Sequence, residues 1–167
     1  PGIDKINCVS KAVEKYLLGE GIKQEKLTTI YKGHSPAWYD RPCEDLRKLA
    51  RVRENAILFA CVANMRSITG VDLLLKAAIE NADNKLVHYV LVGEVRDEQI
   101  HKLASDNRIK DRVHLLGPRE DAPWIVRGAD VFILPSRDRE GLPKGVIEAM
   151  IQGVPAIVSN VGGMPEL

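Results

Sequence analysis

Glu140 and Glu148 stand eight residues apart on either side of Pro143. Glu148 lies inside Val146-Ile147-Glu148-Ala149-Met150-Ile151, where every neighbour is apolar. A carboxylate in such a setting needs a partner: leaving it buried and unpaired costs several kcal/mol, whereas a hydrogen bond to a charged group returns about 1.5–3 kcal/mol. An internal arginine or a loop cap would serve as well as a ligand. Glu140 ends the charged run Arg137-Asp138-Arg139-Glu140, of a kind that in loops is usually just solvated. Pro143 suits a first helical position, and Gly153 followed by Pro155 suits the end, so a helix is predicted over residues 143–152. Its free N–H groups and positive dipole end would welcome an anion. At about 1.5 Å rise per residue, the path from Pro143 to Glu148 is near 7–8 Å. That separates the carboxylates too far for a retaining glycoside hydrolase, which needs about 5–5.5 Å. They suit two parts of one elongated ligand.

The elements that must hold these residues read as α/β. Strands are predicted at residues 5–9, 27–31, 57–63, 87–92, 113–116, 131–134 and 156–159, most bounded by Gly, Pro, Asn, Asp or Ser. Several are apolar on both faces, as parallel strands covered by helices are. Val71, Leu74, Leu75, Ala78 and Ala82 recur at helical spacing, and so do Val13, Tyr16 and Leu17 after a capping Ser10; both helices are expected to pack on a sheet. Ligands of such sheets bind beyond the carboxyl ends of the strands, where strand order reverses. The loops leaving strands there are residues 64–70, 93–97, 117–122 and 135–143, with 161–165 as a fifth. Residues 32–45 read as a long irregular connection, and a domain boundary is expected near residues 21–28.

Composition narrows the classes. The 167 residues carry 24 basic and 23 acidic side chains, a net charge of +1, with 45% apolar residues. This is an ordinary globular balance without the basic stripe of a nucleic-acid binder or a polybasic membrane segment. The longest wholly apolar run, residues 56–63, is too short to cross a membrane, and Pro1 opens no signal segment. A cytoplasmic location is expected. Cys8, Cys43 and Cys61, three with no C-x-x-C spacing, read as reduced thiols. His34, His88, His101 and His114 have no ligand spacing and no D-x-D pair is present, so no metal is expected. Trp124, between Pro123 and Ile125, reads as core packing, and neither it nor Trp38 is taken as a site residue.

Glu140-Gly-Leu-Pro-Lys-Gly-Val-Ile-Glu148, the following Ala149-Met150-Ile151-Gln152-Gly153-Val154-Pro155, and Val161-Gly162-Gly163-Met164-Pro165-Glu166-Leu167 together resemble glycosyltransferase family 4 and its E-x7-E signature. The upstream segments at residues 129–136 and 111–117 match that family's run-up in order and interval. The resemblance implies a GT-B fold, two Rossmann-like domains facing across a cleft, of which this chain is the C-terminal, donor-binding half. Residues 1–27 then end the N-terminal domain and the interdomain connection. Residues 28–167 form the donor domain, with Ile30-Tyr31-Lys32-Gly33 resembling its first strand. The domain is read as cut short at its C-terminus.

The same resemblance implies a nucleotide-diphosphate sugar, UDP- or GDP-linked, as donor, with no cofactor or metal. Retaining transfer would move a hexose to a glycan or lipid-linked acceptor held mostly by the missing domain. Glu140, as the catalytic residue, and the backbone of Gly141, Leu142 and Pro143 would contact the transferred sugar, Glu148 the ribose, and Arg119 the border of the base. Where family members carry an Arg and a Lys for the diphosphate, this chain has Asn64 and Thr69. Arg66 is the best substitute and Lys144 the second. Bacterial lipopolysaccharide or surface polysaccharide is the expected destination, with peripheral attachment of the whole protein to the inner face of the membrane, and the isolated piece is expected to be inactive. Rival readings are a nucleotide-sugar epimerase or phosphorylase half, and a non-catalytic interaction module.

Overall fold

A computed structural model describes residues 2–138 and 140–167; Pro1 and Arg139 lie outside the described residues. The elements run β1 (Ile6–Cys8), α1 (Lys11–Gly19), β2 (Leu27–Thr29), α2 (Pro36–Tyr39), α3 (Leu46–Leu49), β3 (Ile57–Val62), α4 (Val71–Glu80), β4 (Val87–Val92), α5 (Glu98–Ala104), β5 (Val113–Gly117), α6 (Ala122–Ile125), β6 (Val131–Leu134), α7 (Lys144–Ile151) and β7 (Ala156–Val158). Each expected strand is found: two keep their bounds, the one expected at 113–116 gains Gly117, and the others are shorter by one or two residues where their ends lose pairing. Ile30 and Tyr31, for instance, lie exposed beyond β2, so the segment likened to a first donor-domain strand is not strand.

Five strands form one parallel sheet in the order β5-β4-β3-β6-β7. The chain moves from β3 outward to β5, returns to β6, and moves outward the other way to β7. Right-handed crossovers therefore put α4 and α5 on one face and α7 on the other, and α4 meets α5 while α6 meets α7. Residues Tyr89 to Val92 of β4 are all buried, as a doubly covered strand requires. Phe132, Leu58, Leu75 and Leu91 fill the core. Arg112 is buried too; its guanidinium donates to the carbonyls of Ala82, Asn84, Val87 and Arg108, stapling the turns before β4 and β5.

The helix after Ser10 meets a sheet as expected, touching β1 and β2, but only shallowly. Ser10 caps it, its hydroxyl accepting from the Val13 amide, but α1 buries no residue and Tyr16 is 65% exposed. Its sheet has only two strands, β1 paired parallel with β2, which leaves little surface to pack on. Anchoring comes from the other end of the chain. Glu166 accepts from the Lys11 and Ala12 amides at 2.8 Å each and from the Tyr31 hydroxyl at 2.8 Å. Burial alone would raise the Glu166 pKa, but these donors hold its carboxyl below the usual range.

Candidate functional site

Strand order reverses between β3 and β6, so the loops leaving these neighbours face each other across a crevice. The crevice holds a cavity of about 340 Å³ whose lining includes Asn64, Arg66, Thr69, Glu140, Pro143 and Lys144. α7 opens directly onto it. A Cβ on Gly145 would come within 3.1 Å of the Phe132 ring and the Val62 carbonyl, so any other residue there would push the helix start and the sheet apart by a few tenths of an ångström. Pro143 is extended (φ −70°, ψ 121°) and precedes the helix rather than opening it, a shift of one residue from expectation. The amides of Lys144 and Gly145 donate to no acceptor among the described residues and remain available to a ligand.

Glu140 sits at the junction of this cavity with a second, of about 520 Å³, reached by Val13 and Tyr16 of α1 and by Gly141 and Gly162. Its carboxylate accepts from the hydroxyl of Ser136 at 2.7 Å, and its carbonyl from the Gly163 amide at 2.9 Å. Leu142 is buried, which fixes the backbone of residues 141–143 beneath the crevice.

Glu148 lies one turn into α7, only 5% exposed, and accepts no hydrogen bond among the described residues. No arginine among the described residues holds it. Burial pushes its pKa up, opposed by the positive charge of Lys144 and by His34. Tyr39, at the end of α2, packs against His34 and Trp38 with its hydroxyl buried and unpartnered among the described residues. Burial and the Glu148 carboxylate together raise the Tyr39 pKa.

The basic candidates separate. Arg66 and Lys144 are exposed on the lining of the smaller cavity and enter no ion pair among the described residues. Thr69 spends its hydroxyl on the Arg66 carbonyl. Arg119 is elsewhere engaged, gripped by Asp121 at 2.8 Å and Glu44 at 2.6 Å. The tryptophans also differ from simple core packing: the Trp124 indole N–H donates to the Trp38 carbonyl, and His34 stacks on Trp38 with centroids 4.1 Å apart.

Sequence reasoning missed Ser136, Tyr39 and the pair that braces the loop carrying Glu140. Arg137 donates to both oxygens of buried Asp72 in α4, at 2.6 and 2.7 Å, and to the Ser67 carbonyl. An acid in the first turn of α4 was the only available signal. The hydrogen bonds from Arg137, with help from Lys76 and against burial, bring the Asp72 pKa down to about 2. The folded value is depressed, so its stabilisation is present above the unfolded value of about 3.9 and fades as pH falls through the folded one. Because Arg137 is 39% exposed and screened, Asp72→Ala is expected to cost about 2 kcal/mol at neutral pH rather than the about 3–5 of a fully buried pair. Chemical denaturation at pH 7 and pH 3 checks this: the gap between variant and wild type should narrow in acid.

Among the described residues, no three His, Cys, Asp or Glu side chains gather as metal ligands, although His88 and His114 meet with Nδ1 and Nε2 at 3.1 Å. No helix among them is long and apolar enough to cross a membrane. The solved structure of Anabaena Alr3699/HepE in complex with UDP and glucose superposes with a TM-score of 0.86 at 22% identity, covering 98% of this chain and 46% of that one. Escherichia coli UDP-Gal:alpha-D-GlcNAc-diphosphoundecaprenol alpha-1,3-galactosyltransferase is 33% identical over 121 residues, covering 70% of this chain and 31% of that protein. The amylovoran biosynthesis glycosyltransferase AmsK of Erwinia amylovora is 27% identical, covering 95% of this chain and 40% of AmsK. The chain thus spans a third to a half of such relatives, and its fold is one half of a GT-B glycosyltransferase. The model of the family described as glycosyl transferases group 1 matches residues 56–167, and with the crevice, the two glutamates and the sheet order already in place, the chain belongs to that family.

Proposed function

We propose that this chain is the donor-binding half of a retaining hexosyltransferase and takes a UDP- or GDP-linked sugar. The observation that carries it is the crevice at the strand-order reversal, lined by Glu140 and by the start of α7, the helix that buries the Glu148 carboxylate one turn further on. Carboxylates accept paired hydroxyl donors well, so Glu148 takes the ribose diol. Glu140, held by Ser136, meets the transferred sugar with the backbone of Gly141, Leu142 and Pro143. The diphosphate lies on the Lys144 and Gly145 amides, with Arg66 and Lys144 supplying the charge that Asn64 and Thr69 do not, and leaves stabilised electrostatically. Arg119 borders the base through the loop it braces. No metal takes part.

Residues 1–27 belong to the acceptor-side domain and its connection, and residues 28–167 to the donor domain. The acceptor is a glycan or lipid-linked carrier at the cytoplasmic face of the membrane, and the product a surface polysaccharide or lipopolysaccharide. Similarity to relatives that make amylovoran and act on a diphosphoundecaprenol-linked sugar supports this destination.

A thermal-shift panel of UDP, GDP and ADP tests the reading. A nucleotide at a hundred times its Kd adds about 2.7 kcal/mol, a rise of several degrees. UDP or GDP is expected to produce it; a midpoint unmoved by all three at millimolar concentration removes the donor site. Transfer to acceptor is expected to be absent, since the cleft lacks its other wall, and turnover by this chain would refute that.

A further inference from the structure

Ala12, Val13 and Tyr16 stand at positions i, i+1 and i+4 of α1, so they share one helix face, and that face lines the larger cavity of about 520 Å³. Opposite lies the loop of Glu140 and Gly141. The two walls are fixed relative to each other. A Cβ on Gly141 would stand 3.0 Å from Val13 Cγ2, and Glu166 holds the Lys11 and Ala12 amides at the start of α1. Tyr16 is 65% exposed, and among the described residues its ring meets no other aromatic ring and its hydroxyl makes no hydrogen bond. Glu140 lines this cavity and the smaller one alike, so the two form one continuous path with a carboxylate at the middle. Their charges differ. The smaller cavity carries Arg66, Lys144 and the open amides of α7, whereas the larger has Asp138 and Glu140 and no cation among the described residues.

We propose that Tyr16 is a specificity-determining residue: the larger cavity takes an uncharged pyranose, whose C–H face lies on the tyrosine ring while Glu140 accepts from its hydroxyls. The assignment rests on the donor-binding reading above and deepens it by naming the residue that recognises a sugar ring rather than the nucleotide. A pyranose is apolar on its faces and polar around its rim, which matches an aromatic ring and apolar side chains on one wall and carboxylate acceptors on the other. A phosphate fits the larger cavity badly, since two carboxylates repel it, and fits the smaller one well, where amides and cations meet it. The ligand is therefore sorted by charge, with its anionic part at the start of α7 and its neutral ring against α1. The hexose of the donor and the terminal sugar of the acceptor offer this same chemistry, and the experiment separates them.

Calorimetry with UDP, GDP, UDP-glucose, UDP-galactose, UDP-N-acetylglucosamine and GDP-mannose on wild type, Tyr16→Phe and Tyr16→Ala tests this. Saturation-transfer NMR with the matching free sugars, on protein already saturated with UDP or GDP, forms the second arm. Because Tyr16 is largely exposed, both variants should melt within about 2 °C of wild type. Tyr16→Ala should weaken the tightest sugar nucleotide about tenfold and its parent diphosphate less than about twofold; Tyr16→Phe, which keeps the ring, should change neither by more than about twofold. That result assigns the cavity to the donor's hexose. If the sugar nucleotides are indifferent and a free sugar loses its saturation signal only in Tyr16→Ala, the cavity belongs to the acceptor and the role of Tyr16 stands. Equal weakening of diphosphate and sugar nucleotide, or sugar binding that ignores Tyr16→Ala in both arms, overturns the assignment. If Tyr16→Ala does not fold, ¹³C-labelled tyrosine in the wild type decides: a sugar nucleotide or free sugar should shift the Tyr16 ring resonance beyond the effect of the diphosphate, and an unmoved resonance also overturns it. Wild type that binds none of these nucleotides sinks the donor reading itself, an outcome distinct from tight nucleotide binding with a pyranose indifferent to Tyr16.

Discussion

Glu148→Gln should stabilise the protein at neutral pH while weakening UDP or GDP binding by one to two orders of magnitude. The two effects share one cause. The carboxylate is buried and accepts no hydrogen bond among the described residues, so in the unliganded fold it carries a desolvation cost that the charges of Lys144 and His34 offset only in part. The amide keeps the shape and sheds the charge. Burial raises the folded pKa above the unfolded one, so the folded state binds the proton more readily. Stability is therefore greatest below the unfolded value and is lost as pH rises through the folded value. The variant should gain its advantage at pH 7.5, about 1 kcal/mol or a few degrees, and lose it near pH 4. In binding the signs reverse: hydrogen bonds from ligand hydroxyls to a carboxylate are worth about 1.5–3 kcal/mol each, and an amide carbonyl replaces them poorly. Thermal melts at both pH values and calorimetry with UDP and GDP check the prediction. A Gln variant that melts lower at pH 7.5, or binds as wild type does, would show the carboxylate to be structural. The opposition of stability and function is what a group kept for a ligand predicts.

Local chemistry was legible in the sequence, and long-range pairing was not. The strands at residues 87–92 and 131–134 are found with the same bounds, because their composition declares burial on both faces. Ser10 as a cap, and Gly153 just past the end of α7 at φ +79°, follow from rules acting within one turn. Glu148 was recognisable because five apolar neighbours surround it on a short stretch. Tyr39 was not, since its burial exists only once the segment of His34, Trp38 and Tyr39 folds together and meets Trp124 from 86 residues away. The same holds for Asp72 with Arg137, and for Arg112, whose four carbonyl acceptors converge from separate turns. For Arg119, likeness suggested a role near the base, but only the fold brings up Glu44, 75 residues distant, to occupy one side of its guanidinium. Amphipathic spacing in α1 located a helix that does meet β1 and β2, but not its shallow burial, because periodicity reports which face is apolar without saying how much surface exists to cover it.

Gly163→Ala is expected to be among the most damaging single changes in the chain, although it adds one methyl group. A Cβ there would stand 1.9 Å from the Gly141 carbonyl oxygen and 2.7 and 2.8 Å from Ser10 Cβ and Oγ. The first contact is with backbone, so no rotamer relieves it. The preceding Gly162 is as confined, at φ +55° with its Cβ position 1.8 Å from the Glu140 carbonyl oxygen. Three segments therefore meet at this point: the cap of α1, the loop bearing Glu140, and the turn bearing Glu166. Forcing them apart by over 1 Å breaks the Gly163 to Glu140 hydrogen bond and pulls Glu166 away from the Lys11 and Ala12 amides. Overpacking of this kind costs about 1–3 kcal/mol, and the lost hydrogen bonds add to it, so the midpoint should drop by at least about 5 °C. Hydrogen exchange should quicken at the Lys11 and Ala12 amides while β4, in the middle of the sheet, stays protected. UDP or GDP affinity should fall about tenfold as Glu140 shifts, since a displacement of even 1 Å is costly to a positioned group. Gly19→Ala, where nothing lies within 4 Å of the added carbon, controls for the methyl itself and should stay within about 0.5 kcal/mol of wild type. If the two alanine variants melt together, the clasp between α1 and the Glu140 loop does not exist as described, and Glu140 is placed by its own loop and Ser136 alone.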